Sequence, residues 1–234
     1  MNVKHSSIAI IPARGGSKRV PRKNVRHLNG QPLINHTITS AKSANLVSRT
    51  VVSTDDEEIA QIATNAGAEV IIRPSELASD TAKSIDVIIH ALDKLIDDDE
   101  RSTTDIVVLQ PTTPFRPSDL IDNAIELLRN TGCHSVVSYY RMDYPHPNRA
   151  KKLSHGGRIV PYCEPEITNV PRGELPEAYY RDGAIYACDS TVPYKFLDLF
   201  GTDQRALIVD ETINIDTEMD WAMAEYLIRN NKKP

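Results

Sequence analysis

The sequence predicts an α/β fold in which a mostly parallel sheet is covered by helices on both faces. Three observations predict it. Short apolar runs alternate with segments of helical periodicity through the first 140 residues. The runs Ile8–Ile11 and Ile106–Leu109 are apolar throughout, as strands buried on both faces are. The first run leads into Gly15-Gly16, in a loop placed where such a sheet delivers the chain to a ligand.

The elements follow in order. After the strand Ile8–Ile11 and its loop, Leu33, Ile34, Thr37, Ile38 and Ala41 share one helical face. Thr50–Ser53 is a short strand, and Ser53-Thr54-Asp55-Asp56 offers a helix cap followed by acids in the first turn. Ile59, Ile62, Ala63 and Ala66 form that helix's face, Gly67 stops it, and Ala68–Ile72 is the next strand. A third helix carries Ile85, Ile88, Ile89, Leu92 and Ile96 before the strand Ile106–Leu109. Pro117-Ser118-Asp119 opens a fourth helix, expected to turn Leu120, Ala124, Leu127 and Leu128 inward, and Ser135–Ser138 is again a strand.

From 141 to 182 the pattern breaks: Pro145, Pro147, Pro161, Pro165, Pro171 and Pro176 punctuate a stretch too irregular for βαβ units. A loop that long inside a domain is functional or an interface arm. Regular structure resumes with expected strands at Gly183–Ala187, Ala206–Val209 and Ile213–Asp216, then a final helix with Trp221, Ala224 and Leu227 inward. The 234 residues read as a single domain, 1–234, with 141–182 as its excursion.

Composition narrows the function classes. A net charge of -5 and a pI near 5.8 argue against a dedicated nucleic-acid binder, which needs broad basic surface. Cys133, Cys163 and Cys188 are far apart and odd in number, which suggests neither a disulfide framework nor a metal knuckle. Met1–His5 carries no signal-peptide apolar stretch and no run approaches transmembrane length, so a soluble cytoplasmic protein away from the membrane is expected.

Against that acidic balance the loop after the first strand is cationic, with six Lys or Arg and no acid from Arg14 to Arg26. Positive side chains beside backbone N–H groups suit a polyphosphate. The spacing is neither Gly-x-x-x-x-Gly-Lys-Ser/Thr nor Gly-x-Gly-x-x-Gly. Arg73 to Thr81 lies between a strand and a helix, where Ser79, Asp80, Thr81 or Ser84 could equally cap the helix. Gln110 to Arg116 follows a buried strand, so its polar groups sit at the ligand edge unless the segment is only a proline-rich turn. Asn214 and Asp216, alternate residues of an expected strand, share a face and suit a hard cation such as Mg²⁺, or Asp216 is another helix cap. Arg149, Arg172 and Arg181 lie in or beside the irregular segment, where interfacial ion pairs are the plainer account.

Six segments in order carry a resemblance: Ile11-Pro12-Ala13-Arg14-Gly15-Gly16-Ser17-Lys18 with Lys23-Asn24; Val52-Ser53-Thr54-Asp55; Arg73-Pro74 with Glu76-Leu77-Ala78-Ser79-Asp80-Thr81; Leu109-Gln110-Pro111-Thr112; Asp182-Gly183-Ala184-Ile185-Tyr186; and Ile215-Asp216-Thr217-Glu218. Over essentially its whole length the chain resembles the acylneuraminate cytidylyltransferase family, the CMP-sialic acid synthetases and their bacterial relatives acting on legionaminic and pseudaminic acids. The resemblance implies a Rossmann-like nucleotidyltransferase fold with an extended dimerisation arm, a homodimer with active sites shared between subunits, CTP and a nine-carbon keto-sugar acid as substrates, and Mg²⁺ as cofactor.

The site roles come from the same resemblance. Arg14, Lys18, Lys23 and Asp216 would be catalytic. The nucleotide would be bound by Arg14, Gly15, Gly16, Ser17, Lys18, Lys23 and Asn24 around the phosphates, and by Arg73, Ala82 and Ser84 around cytidine. Gln110, Arg149, Arg172, Tyr186 and Asp182 would face the sugar, and Asp216 with Asn214 the metal. Two departures matter. Asn214 stands where the sialic acid enzymes often carry an acid, which keeps an oxygen ligand but removes a charge. Around Tyr179-Tyr180-Arg181-Asp182 those enzymes have an Arg one place earlier and an Asn at the place of Asp182, which leans toward legionaminic or a related bacterial acid. The alternatives are a cytidylyltransferase for pseudaminic acid or 3-deoxy-octulosonate, and a non-catalytic nucleotide-binding protein on the same fold.

Overall fold

The computed structural model describes residues 6–230 and 232; the side chain of Arg172 and the segment 1–5 lie outside the described residues. In chain order the elements are β1 (Ser6–Pro12), β2 (His27–Leu28), β3 (Gln31–Pro32), α1 (Leu33–Ser43), β4 (Arg49–Thr54), α2 (Glu57–Asn65), β5 (Glu69–Ile72) and α3 (Ser84–Leu95). There follow β6 (Thr104–Val108), α4 (Ser118–Thr131), β7 (Ser135–Arg141), β8 (Lys151–Leu153), β9 (Ile159–Pro161), β10 (Tyr179–Asp189), α5 (Val192–Phe196), β11 (Gln204–Val209) and α6 (Glu218–Arg229).

Seven strands form one sheet in the order β11-β7-β10-β6-β1-β4-β5. All neighbours pair in parallel except β10, which runs antiparallel to both β6 and β7. The sheet is therefore mixed, and β10 inserts between two strands that precede it in the chain. That reversal follows from the connection: the chain leaves β7 through the irregular segment and returns from the same edge, with no crossover helix to carry it back to the start.

Alternate residues of β1 face opposite layers. Ala9 and Ile11 meet Ile34 and Ile38 of α1, Ile59 of α2 and Ile121 and Ala124 of α4, whereas Ile8 and Ile10 meet Ile88 and Leu92 of α3. With helices on both faces the central strands β1, β4 and β6 are buried on both sides, as the continuous apolar runs require, whereas the edge strands β5 and β11 are partly exposed. The α2 start is capped as expected, by Asp56 accepting from the Ile59 N–H at 3.0 Å.

Two expectations change. The inward face of α4 is Ile121, Ala124, Ile125 and Leu128, so Leu120 and Leu127 lie at its margin; the β-branched side chains at 121 and 125, one turn apart, take the centre. Ile213–Asp216 joins no sheet: it is a connection pinned where the Ile215 N–H donates to the Thr112 carbonyl at 2.7 Å. Within 141–182 the chain forms the small β8–β9 hairpin and leaves Leu153, Ile159 and Tyr162 exposed. No helix of the described residues is long and apolar enough to cross a membrane.

Candidate active site

The loops that follow β1, β5 and β6 open onto one cleft of about 430 Å³. Ten of the expected residues line it: Arg14, Ser17, Lys18, Lys23, Asn24, Arg73, Ala82, Ser84, Gln110 and Asp216. They come from four separate loops, which only the parallel sheet brings to one edge.

The loop after β1 is shaped from within. Asn24 is buried and its side-chain amide donates to the Arg14 carbonyl at 2.9 Å, while its own carbonyl accepts from the Ile34 N–H at 3.1 Å. The Gly15 N–H donates to Asp55 at 3.3 Å, and a Cβ at this position would collide with the Asp56 carboxylate. Gly15 thus serves close approach to the α2 cap, and neither it nor Gly16 lines the cleft. Gly15→Ala should cost about 1–3 kcal/mol in denaturant unfolding, because Asp56 must leave its capping position.

Arg14 and Lys18 converge on the carboxylate of Asp80, Arg14 Nη1 at 3.0 Å. Both cations hold the Asp80 carboxyl below the usual carboxylate range, Lys18 first. Lys23 lies deeper: its ammonium donates to the Ile215 carbonyl at 2.7 Å and to Asp216 Oδ1 at 3.3 Å. Burial pulls the Lys23 pKa below that of a free lysine, and Asp216 opposes that pull. Opposite them, Arg73 is buried with only a long contact to Asp55, 3.5 Å, and its Nε has no partner. Burial lowers its pKa as well. Arg19, Val20, Leu77 and Val87 also line the cleft and were not singled out; Leu77 and Val87 supply apolar wall beside Arg73, Ala82 and Ser84.

Gln110 marks the far end. A side chain at Gly183 (φ +82°) would meet Gln110 Oε1 at 3.2 Å, Tyr186 Oη at 3.9 Å and Asn214 Nδ2 at 4.0 Å, so Gln110, Tyr186 and Asn214 converge around this glycine. Tyr186 is mostly buried, and burial raises its pKa. Asp182 does not face the cleft: it is buried, Oδ1 accepting from Ser138 Oγ and from the Ala184 N–H at 2.9 Å. Arg149 is exposed in the irregular segment and donates to the Val170 carbonyl at 3.3 Å, away from the cleft of its own chain.

Asp216 and Asn214 flank the buried Ile215, so both turn outward. Asp216 reaches the cleft with its side chain 43 % exposed; Asn214 lies by Gly183 instead. Among the described residues no group of three or more His, Cys, Asp or Glu could hold a metal alone.

A family model described as cytidylyltransferase matches residues 8–202. The chain belongs to the cytidylyltransferase family. It is 35 % identical over 233 residues to a CMP-N,N'-diacetyllegionaminic acid synthase of Legionella pneumophila, covering 97 % of both chains. An N-acylneuraminate cytidylyltransferase of Escherichia coli is 32 % identical over 93 % of this chain, which spans about half, 51 %, of that longer relative. Among solved structures, a CMP:2-keto-3-deoxy-manno-octonic acid synthetase complexed with CTP superposes with a TM-score of 0.74 at 18 % identity, over 97 % of this chain and 99 % of that one. That likeness places the cytidylyltransferase in a mixed α/β nucleotidyltransferase fold.

Proposed function

We propose that this cytidylyltransferase joins CTP to the anomeric hydroxyl of a nine-carbon keto-sugar acid of the sialic or legionaminic type, with release of pyrophosphate. The observation that carries the reading is one cleft that gathers Arg14, Lys18 and Lys23 with Arg73, Ala82, Ser84, Gln110 and Asp216. The two similar enzymes named above supply the acceptor class.

In the reaction the anomeric oxygen bonds to the α-phosphorus while the bond from that phosphorus to the bridging oxygen breaks. The electron pair stays on pyrophosphate and the hydroxyl proton leaves to the water of the cleft. Charge grows on the leaving oxygens, so Arg14 and Lys18, released from Asp80, stabilise it where it develops. Lys23, held by the Ile215 carbonyl, keeps its ammonium toward the α-phosphate. Arg73, with an unpartnered Nε beside Ala82 and Ser84, holds the cytidine end, and the apolar wall of Leu77 and Val87 limits the base to a pyrimidine. Gln110, Tyr186 and Asn214 receive the sugar and orient its hydroxyl for in-line attack.

The donor set fits Mg²⁺ bound through one or two side chains plus substrate phosphates, rather than a cage made by protein alone. Asp216 is the residue in the cleft that would hold it; Asn214, by Gly183, lies outside the lining. When bound, the ion supplies positive charge to the α-phosphate and acidifies the sugar hydroxyl, a service no histidine in the lining of the cleft offers.

Residues 1–234 act as one domain, and 141–182 is the arm that pairs two copies, its exposed Leu153, Ile159 and Tyr162 being covered in the dimer. Arg149 and Arg172 then serve the partner's sugar site. A CTP-consuming step of this kind belongs in the cytoplasm. The dimer makes a specific prediction: Arg172→Ala mixed with Asp216→Ala regains activity, up to about a quarter of wild type for random exchange into sites each needing one residue from each chain. No recovery despite proven subunit exchange overturns the trans role.

The reading itself is tested by pyrophosphate release with Mg²⁺ and each of the four nucleoside triphosphates, offering sialic, legionaminic, pseudaminic and 3-deoxy-octulosonic acids. Preference for CTP with a sialic or legionaminic acid is expected. Silence with those two acids from folded protein overturns it.

A further inference from the structure

Below Gln110 and Gly183, outside the lining of the cleft, two charged side chains are buried. Arg116 is 5 % exposed and Asp182 4 %. One guanidinium ties two loops: Arg116 Nη2 donates to the Gln110 carbonyl at 3.0 Å and to Thr113 Oγ1 at 2.7 Å, and Nε donates to the Ala184 carbonyl at 2.6 Å. The backbone of Arg116 is fixed in turn, its carbonyl accepting from Ser40 Oγ of α1 at 2.7 Å. Asp182 braces the second loop from the other side, through Ser138 Oγ of β7 and the Ala184 N–H. Between Arg181 and Tyr186 the pairing of β10 with β7 shifts register, and Gly183 sits in that irregularity at positive φ.

Burying two charges for packing alone is a poor use of them, since an apolar pair of similar volume is often as stable. Here the pair is also under-satisfied. Arg116 Nη1 and Asp182 Oδ2 are both buried without a hydrogen-bond partner. Burial lowers the Arg116 pKa to about 10, with the Asp182 charge pulling the other way. Such an arrangement is retained where it holds something in place that an apolar pair would not.

We propose that Arg116 and Asp182 are positioning residues for the acceptor substrate: together they lock the Gln110 loop to the Gly183 bulge, so that Gln110, Tyr186 and Asn214 stand ready for the acid sugar. Neither lines the cleft, and their side-chain hydrogen bonds run to the Gln110 and Ala184 segments and to Ser138, none to the loops after β1 and β5 that hold Arg14, Lys18, Lys23 and Arg73. The inference rests on the sugar-nucleotide reading for the identity of the acceptor, but the coupling between the two loops does not.

Arg116→Lys and Asp182→Ala test it. Lys keeps the charge yet cannot span both carbonyls, and Ala removes the oxygen that Ser138 Oγ and the Ala184 N–H use. Each variant should raise the KM for the acid sugar about tenfold to a hundredfold, as misplacement of a substrate-orienting group by a fraction of an ångström to one ångström does. The Kd for CTP, measured by calorimetry, should stay within twofold of wild type. Amide hydrogen exchange over 109–116 and 181–187 should speed up together in each variant, with the loop 13–26 unchanged. That exchange measurement requires no sugar, so it separates this inference from the acceptor assignment. Unchanged exchange in the second loop when Arg116 alone is altered overturns the proposal. So does a CTP affinity that falls in step with the sugar's, which is the outcome of a merely structural pair.

Discussion

Asp216→Ala lowers kcat for pyrophosphate release by about two to three orders of magnitude, the scale of losing a group that acts on charge developing in the transition state. Stability should barely move. The side chain is 43 % exposed and its bonds are to Lys23, whereas the Asp216 backbone keeps its own anchor, the N–H donating to Asp220 at 3.0 Å. The loss has two parts. On the proposed assignment Mg²⁺ would lose its carboxylate, and Lys23 loses the charge that opposes burial, so its ammonium becomes harder to keep. Asp216→Asn separates them: it retains an oxygen donor and so should recover part of the rate at raised Mg²⁺, which Asp216→Ala should not. Near-normal turnover in Asp216→Ala, with wild-type Mg²⁺ dependence, removes the residue from the reaction.

Asp216 drew attention as one of two alternate oxygen-bearing residues of an expected strand; the segment forms no strand, yet it meets the cationic loop in the same cleft. The continuous runs that became β1 and β6 were legible because strands buried on both faces are apolar throughout. What pattern did not reveal was pairing across distance. Asp80 read as one of several capping candidates, yet it bridges Arg14 and Lys18 from another loop, a choice made by tertiary proximity. The resemblance put Asp182 at the sugar; in the fold its side chain is buried beside the irregular Gly183 turn, Oδ1 accepting from Ser138 Oγ of β7 and from the Ala184 N–H, outside the lining of the cleft. Arg116 closed the Gln110 segment in the sequence without showing whether it faced in or out; a cation followed by Pro117 at a helix start is ordinarily solvated. The direction of β10 was equally hidden, since an apolar run looks the same whichever way its neighbours run.

Trp221→Ala should be the most damaging change far from the chemistry. The indole is 1 % exposed and packs with Val20, Leu28, Leu33, Ile215 and Ala224 in a cluster separate from the two layers that cover the sheet. Truncation costs about 3–5 kcal/mol, and Tm falls by roughly 10 °C for a chain of this length. The cluster also has a position. Val20 belongs to the cationic loop and Ile215 lies between Asn214 and Asp216, so the same packing sets the register of Lys23 against Asp216 and of Lys23 against the Ile215 carbonyl. Arg26 reinforces it from the surface, its guanidinium 4.2 Å from the indole centroid and paired with Glu218 at 2.7 Å. A cavity there loosens both walls at once. At a temperature where Trp221→Ala is still folded, kcat/KM for CTP should therefore fall by about tenfold or more, and Trp221→Phe, which refills most of the volume, should recover both stability and rate. Lost stability with unchanged kcat/KM in the folded enzyme would mean that Lys23 and Asp216 are held by their own hydrogen bonds, and that the cluster under them serves the fold alone.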